Sequence, residues 1–274
     1  MSNMGRAIVI TSGKGGVGKT TATANLGSGL AQAGKSVVLV DTDIGLRNLD
    51  LVLGLENRIV FDLVDVVEGK CRSFRQALIR DKRFENLQIL ASAQSRDKDA
   101  VKPEQMKALC EELKQAFDYV LLDCPAGIEM GFKNAIAGAD EAIVVTNPEV
   151  SAVRDADRIV GLLEAAEIQP IRLLLNRFKP NVSQRGQMLS VEDVQDILNL
   201  QLIGMVPEDE RIVHASNKGE PAVLDPKSKA GLAYRQVIQR LMDPGAPAYA
   251  PEQPGLMTRI RRMFTVNLGS QASH

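Results

Sequence analysis

Nine residues from Gly13 to Thr21 read Gly-Lys-Gly-Gly-Val-Gly-Lys-Thr-Thr, a composition with an obvious use. Gly13, Gly15, Gly16 and Gly18 let the backbone curl until successive amides point inward, and such a concave row of N–H groups suits phosphate oxygens. Val17 sits inside that row. The segment from Gly13 to Thr20 satisfies GxxxxGK[ST], preceded by an apolar run and followed by a helical pattern, the context the motif needs. A helix opening at Gly18 adds its positive end. Lys19 is placed to reach the β- and γ-phosphates, the Thr20 hydroxyl to sit on Mg²⁺, and Thr21 to lie near the α-phosphate.

Three acids complete this chemistry. Asp41 ends the run Val37-Val-Leu-Val-Asp41, Asp43 follows two residues later, and Asp123 ends Tyr119-Val-Leu-Leu-Asp123. Ligands of open parallel sheets collect at the carboxyl ends of strands, so all three acids are expected to converge on the glycine loop. Asp123 suits holding the metal or its waters, with Asp41 sharing that task. Asp43 suits orienting or deprotonating an attacking water.

The elements that must carry these groups are readable from periodicity. Strands are expected over residues 7–11, 36–41, 87–90, 119–123, 141–146, 171–176 and 202–206, several as unbroken β-branched or Leu runs of the kind covered on both faces. Helices are expected over 18–33, 103–117, 129–137, 151–164, 190–198 and 227–242. Alternating strands and helices predict one α/β P-loop NTPase domain over residues 1–242, its mostly parallel twisted sheet flanked by helices on both faces.

Composition narrows the partners. With 45% apolar residues in 274 the chain can bury a full core. Its net charge of −1 offers no global field for nucleic acid. Cys71, Cys110 and Cys124 form no CxxC and no ligand-like spacing, which fits a reducing cytoplasm. No secretory pattern occurs, and no apolar run approaches the ~18 residues of a membrane span.

Lys14 gives the loop a second lysine, and GKGGVGKTT resembles the deviant Walker A signature of the ParA/MinD ATPases. The segments from Asp41 to Asp50, Asp123 to Gly127, Thr146 to Asp157, Leu175 to Arg177 and Gly204 to Glu210 resemble the division-site-placement branch of that family. The resemblance runs nearly the whole chain. It implies ATP as the nucleotide, Mg²⁺-dependent hydrolysis, and a homodimer formed on ATP in which Lys14 reaches the partner copy's phosphates. A cation supplied in that way stabilises phosphoryl charge only once the dimer exists. Asn176, Pro207, Glu208 and Asp209 match positions that hold adenine in the family, and an Asn amide can pair with a purine edge. The likeness also implies a MinC-like division inhibitor and a MinE-like ATPase activator as partners, near residues 153–157.

At the far end the composition changes. Residues 243–254 hold four prolines and read as a tether, and 255–268 return to helical spacing before a tail over 269–274. Leu256, Ile260, Met263 and Phe264 make one apolar stripe, and Arg259, Arg261 and Arg262 supply three charges with no acid in the segment. A helix of that length spans about 21 Å, too short to cross a bilayer, and is expected to lie in an anionic phospholipid surface. The expected location is therefore the cytoplasm and, peripherally, the cytoplasmic face of the inner membrane. A DNA-partition ATPase of the ParA kind is the alternative, but it needs a strongly basic surface. A metal-cluster ATPase on the same fold would need cysteine pairs that this sequence does not suggest.

Overall fold

The β-branched runs become the interior of one eight-stranded sheet in a computed structural model that describes residues 4–97, 99–179 and 188–243. The strands are β1 (Arg6–Thr11), β2 (Val37–Asp41), β3 (Leu78–Arg80), β4 (Leu87–Leu90), β5 (Tyr119–Asp123), β6 (Glu141–Thr146), β7 (Ile171–Phe178) and β8 (Gln201–Pro207). Their spatial order is β3-β4-β2-β5-β1-β6-β7-β8, parallel throughout except for β3, which runs antiparallel to β4.

Alternation along each strand divides the core in two, because successive side chains point to opposite faces. Val9, Val38, Val40, Val120, Leu122 and Val144 face one layer of helices, comprising α4 (Pro103–Ala116), α5 (Met130–Ala137), α6 (Val150–Ala165) and α7 (Val191–Leu198). Ile8, Ile10, Leu39, Leu121, Ile143 and Leu174 face the other, built from α1 (Lys19–Gln32) and α9 (Lys229–Met242). Helix α1 is buried almost all round, between the sheet and α9, so its sequence shows no clean stripe.

Every strand and helix expected within the described residues is present, with ends shifted by two residues or fewer. Among the described residues the sequence reading missed β3, three short 3-10 turns and three α-helices: α2 (Leu49–Leu53), α3 (Leu63–Val67) and α8 (Glu210–Asn217). β3 has three residues and α2 and α3 five each, too few to display a period. α8 has eight residues and fully buries none of them, so its half-buried stripe of Ile212, Ala215 and Ser216 is too short and too polar to stand out. The tether beyond Asp243 and the terminal helix of residues 255–268 lie outside the described residues.

Candidate nucleotide and metal site

β1 delivers the chain from the middle of the sheet into the glycine loop, and α1 leaves from it. Gly18, the residue before α1, takes the left-handed conformation (φ 100°) that glycine adopts without strain. A β-carbon there would stand 2.3 Å from Asn176 Nδ2, so β7 presses directly on the turn. At Gly13 a β-carbon would come within 2.2 Å of the Asp155 backbone, since α6 packs on the other flank. The loop is thus clamped between β7 and α6, which leaves its amides a fixed curvature.

Lys19 is buried, and its Nζ donates to Ser12 Oγ at 2.9 Å. Burial lowers its pKa, against the opposing pull of Asp123, Cys124 and Asp43. Ser12 in turn donates to the Lys14 carbonyl at 2.8 Å, so one hydroxyl ties both lysines of the loop. Lys14 itself is exposed at the mouth, 3.3 Å from Ser151 Oγ and 3.7 Å from Glu149 at the start of α6.

The acids do converge. β2 and β5 pair with Asp41 directly beside Asp123, both almost fully buried. Burial, reinforced by each other's charge, pushes the Asp41 carboxyl up to about 8. Burial likewise raises Asp123 to about 6, although hydrogen bonds from Thr20 and Thr23 and the charge of Lys19 oppose it. Two neighbouring buried carboxylates with so little solvent call for positive charge.

Their roles differ from one another. Asp41 accepts the Asp43 amide at 3.0 Å and the Asn48 and Leu49 amides at 3.2 Å each. It therefore holds the loop that carries Asp43, and the expectation that it shares the metal gains no support from this arrangement. Asp123 bonds to the Thr20 side chain, which pairs one hydroxyl with one carboxylate beside the cradle. That donor set fits Mg²⁺, a hard cation that keeps several waters and takes few protein ligands. Among the described residues no cluster of three or more His, Cys, Asp or Glu is gathered that would bind a metal unaided. Asp43 borders a separate cavity of about 30 Å³ with Thr42, Pro125 and Glu129, room enough for a water.

A larger cavity of about 440 Å³ opens beside the loop. Gly18, Thr21, Asn176, Pro207, Glu208 and Asp209 line it, so every residue expected near a base is there. The β7–β8 pairing is irregular after Leu175, which re-aims the chain at Asn176 and Arg177, as bulges beside binding sites do. Asn176 Nδ2 donates to the Val17 carbonyl at 2.7 Å, so the amide holds the loop and the cavity wall together. Asp209 also has a structural role. Its carboxylate accepts the Arg211 amide, the Ser228 hydroxyl and the Ala230 amide, joining the starts of α8 and α9. Glu208 pairs with Lys179 at 2.6 Å. Sequence reasoning missed Arg177, Glu210, Ile212 and Val213 in the same lining. Arg177 carries a positive φ of 52°, which no local motif announces.

Comparison with known proteins matches residues 8–222 to the CobQ/CobB/MinD/ParA nucleotide binding domain. The chain belongs to this MinD/ParA family. It is 55% identical over 267 residues to the septum site-determining protein MinD of Bacillus subtilis (strain 168), covering 96% of this chain and 99% of that one. Among solved structures it is similar to MinD in the MinC:MinD cell division complex of Aquifex aeolicus, with a TM-score of 0.82, 48% identity, and coverage of 89% and 99%. It also resembles the septum site-determining MinD of Pyrococcus horikoshii OT3 complexed with Mg-ADP, with a TM-score of 0.79, 33% identity, and coverage of 89% and 98%. Membership makes residues 8–222 of this MinD/ParA chain a nucleotide-binding domain.

Proposed function

We propose that the chain is an ATP-dependent switch for division-site placement. In this reading ATP pairs two copies, the pair adheres to the inner membrane surface, and hydrolysis releases it. The observation that carries the reading is the position of Lys14: exposed at the mouth of the cradle, at the carboxyl end of the sheet. Leu46 and Ile128, on the loops after β2 and β5, and Met130 and Val150, at the first positions of α5 and α6, are exposed at the same end. A cation and apolar side chains around an anion cradle suit a second copy that brings its own triphosphate.

The residues divide the chemistry. The loop amides and Lys19 grip the phosphates and stabilise charge as the terminal P–O bond breaks. Asp43, beside a water-sized cavity, orients the attacking water. Lys14 from the partner copy adds positive charge once the dimer has formed. Mg²⁺, held by Thr20 and Asp123, neutralises phosphate oxygens when bound. Asn176 and the Pro207–Glu208 wall favour a purine base in the larger cavity.

The basic, apolar helix of residues 255–268 supplies the membrane contact in this account. One such tail holds weakly, because ordering it costs about as much as its burial returns. Two on one dimer make the second insertion intramolecular, worth roughly 10²–10⁴ in avidity if both reach. The Aquifex relative was solved as a MinC:MinD complex, which supports a MinC-like inhibitor as a partner. A MinE-like activator rests on the family resemblance. Co-sedimentation with anionic liposomes tests the switch: retention with ATP and release with ADP is expected, and equal retention with both refutes it.

A further inference from the structure

Thr23 lies outside the glycine-loop motif, one turn into α1, yet it touches the site. It is fully buried, with its Oγ1 3.1 Å from Asp123 Oδ1 and 3.1 Å from the Lys19 carbonyl oxygen. A hydroxyl has one proton to give. An ionised carboxylate is the stronger acceptor, so a charged Asp123 takes the bond, while a neutral one leaves it to the helix carbonyl. Thr20 also bonds to Asp123 and stands three residues earlier, on the same helix face. The Asp123 carboxylate thus hangs between two threonines. Thr20 would have a second task once a metal is bound, its hydroxyl being expected on the cation, and among the described residues Thr23 has no other side-chain partner for its proton.

We propose that Thr23 is a positioning residue for the metal site. Its hydroxyl fixes the Asp123 carboxylate in the orientation that receives Mg²⁺ and its waters, and keeps it there when Thr20 turns to the cation. The inference rests on the reading of Asp123 as the metal-side acid. Groups that orient metal ligands from behind typically matter about 10–100-fold to metal affinity.

Thr23→Val keeps the shape and removes the donor, whereas Thr23→Ser keeps the donor and loses a methyl group. Binding of a fluorescent ADP analogue is measured first in EDTA and then across a Mg²⁺ titration, with Mn²⁺ binding read by electron paramagnetic resonance. Thr23→Val is expected to bind the analogue in EDTA as the parent does, but to need about ten-fold more Mg²⁺ for the metal-dependent gain. Thr23→Ser is expected to return the midpoint to within about two-fold of the parent's, so that most of the roughly ten-fold loss is tied to the hydroxyl. An unchanged midpoint in Thr23→Val overturns the proposal alone. Equal loss with and without metal also overturns it, since that marks a packing role. A parent protein indifferent to Mg²⁺ removes the Asp123 reading and this one with it.

Discussion

At Lys19 burial and counter-charge oppose each other: the ammonium is desolvated, and Asp123 restores only part of what that costs. An incoming phosphate supplies the missing negative charge, through charge-assisted bonds worth about 1.5–3 kcal/mol each. Lys19→Ala is therefore expected to weaken nucleotide binding by about a hundred-fold in a fluorescent-nucleotide titration, and unaltered affinity would mean the loop had been misread. The Asp41–Asp123 pair makes a second prediction. Both carboxyls are raised above the ordinary carboxylate range, to about 8 and about 6. The folded protein thus binds more protons than the unfolded chain above the ordinary carboxylate value of 3.8, so stability falls as pH rises from there, the Asp123 share being lost by about 6 and the Asp41 share by about 8. Melting of the nucleotide-free protein should occur at lower temperature at pH 8.5 than at pH 6, and Asp41→Asn should flatten that slope. The glycine motif and the strand-end acids were legible because their signal is local. Thr23, Ser12 and Arg177 were not, because their roles come from what β5, the loop and the β7 irregularity bring next to them.

Among elements, the long strands and most long helices declared themselves by unbroken apolar runs or a 3.6-residue stripe, and α1, which has no stripe, by the glycine motif before it. What stayed hidden was short or unburied. α8 is the instructive case, because it walls the base-side cavity through Glu210, Ile212 and Val213 while fully burying none of its residues. Such a helix depends on its ends. Asp209 caps it and also grips the start of α9, so the acid expected near adenine sets the position of the wall as well. Asp209→Ala removes a cap worth about 1–2 kcal/mol, so calorimetry is expected to show a melting midpoint lower by about 2–8 °C. A midpoint within a degree of the parent's would show that α8 is anchored by other contacts.

For the whole molecule, the parallel sheet turns one edge into a working face. The cradle, the acids, Lys14 and the exposed apolar residues all lie at the carboxyl ends of β1, β2, β5 and β6. The described chain runs to Asp243, and the proposed membrane helix follows a proline-rich tether. Separation of chemistry from adhesion gives a clean expectation. Ile260→Glu, which puts a charge on the apolar stripe, should leave ATP hydrolysis at the parent rate and abolish ATP-dependent liposome binding; a loss of hydrolysis without lipid would contradict that division. The account depends above all on pairing by triphosphate, and the most direct measurement is the solution mass of the protein with ADP and then with a slowly hydrolysed ATP analogue. It predicts one copy with ADP and two with the analogue. A single copy under both conditions would contradict it.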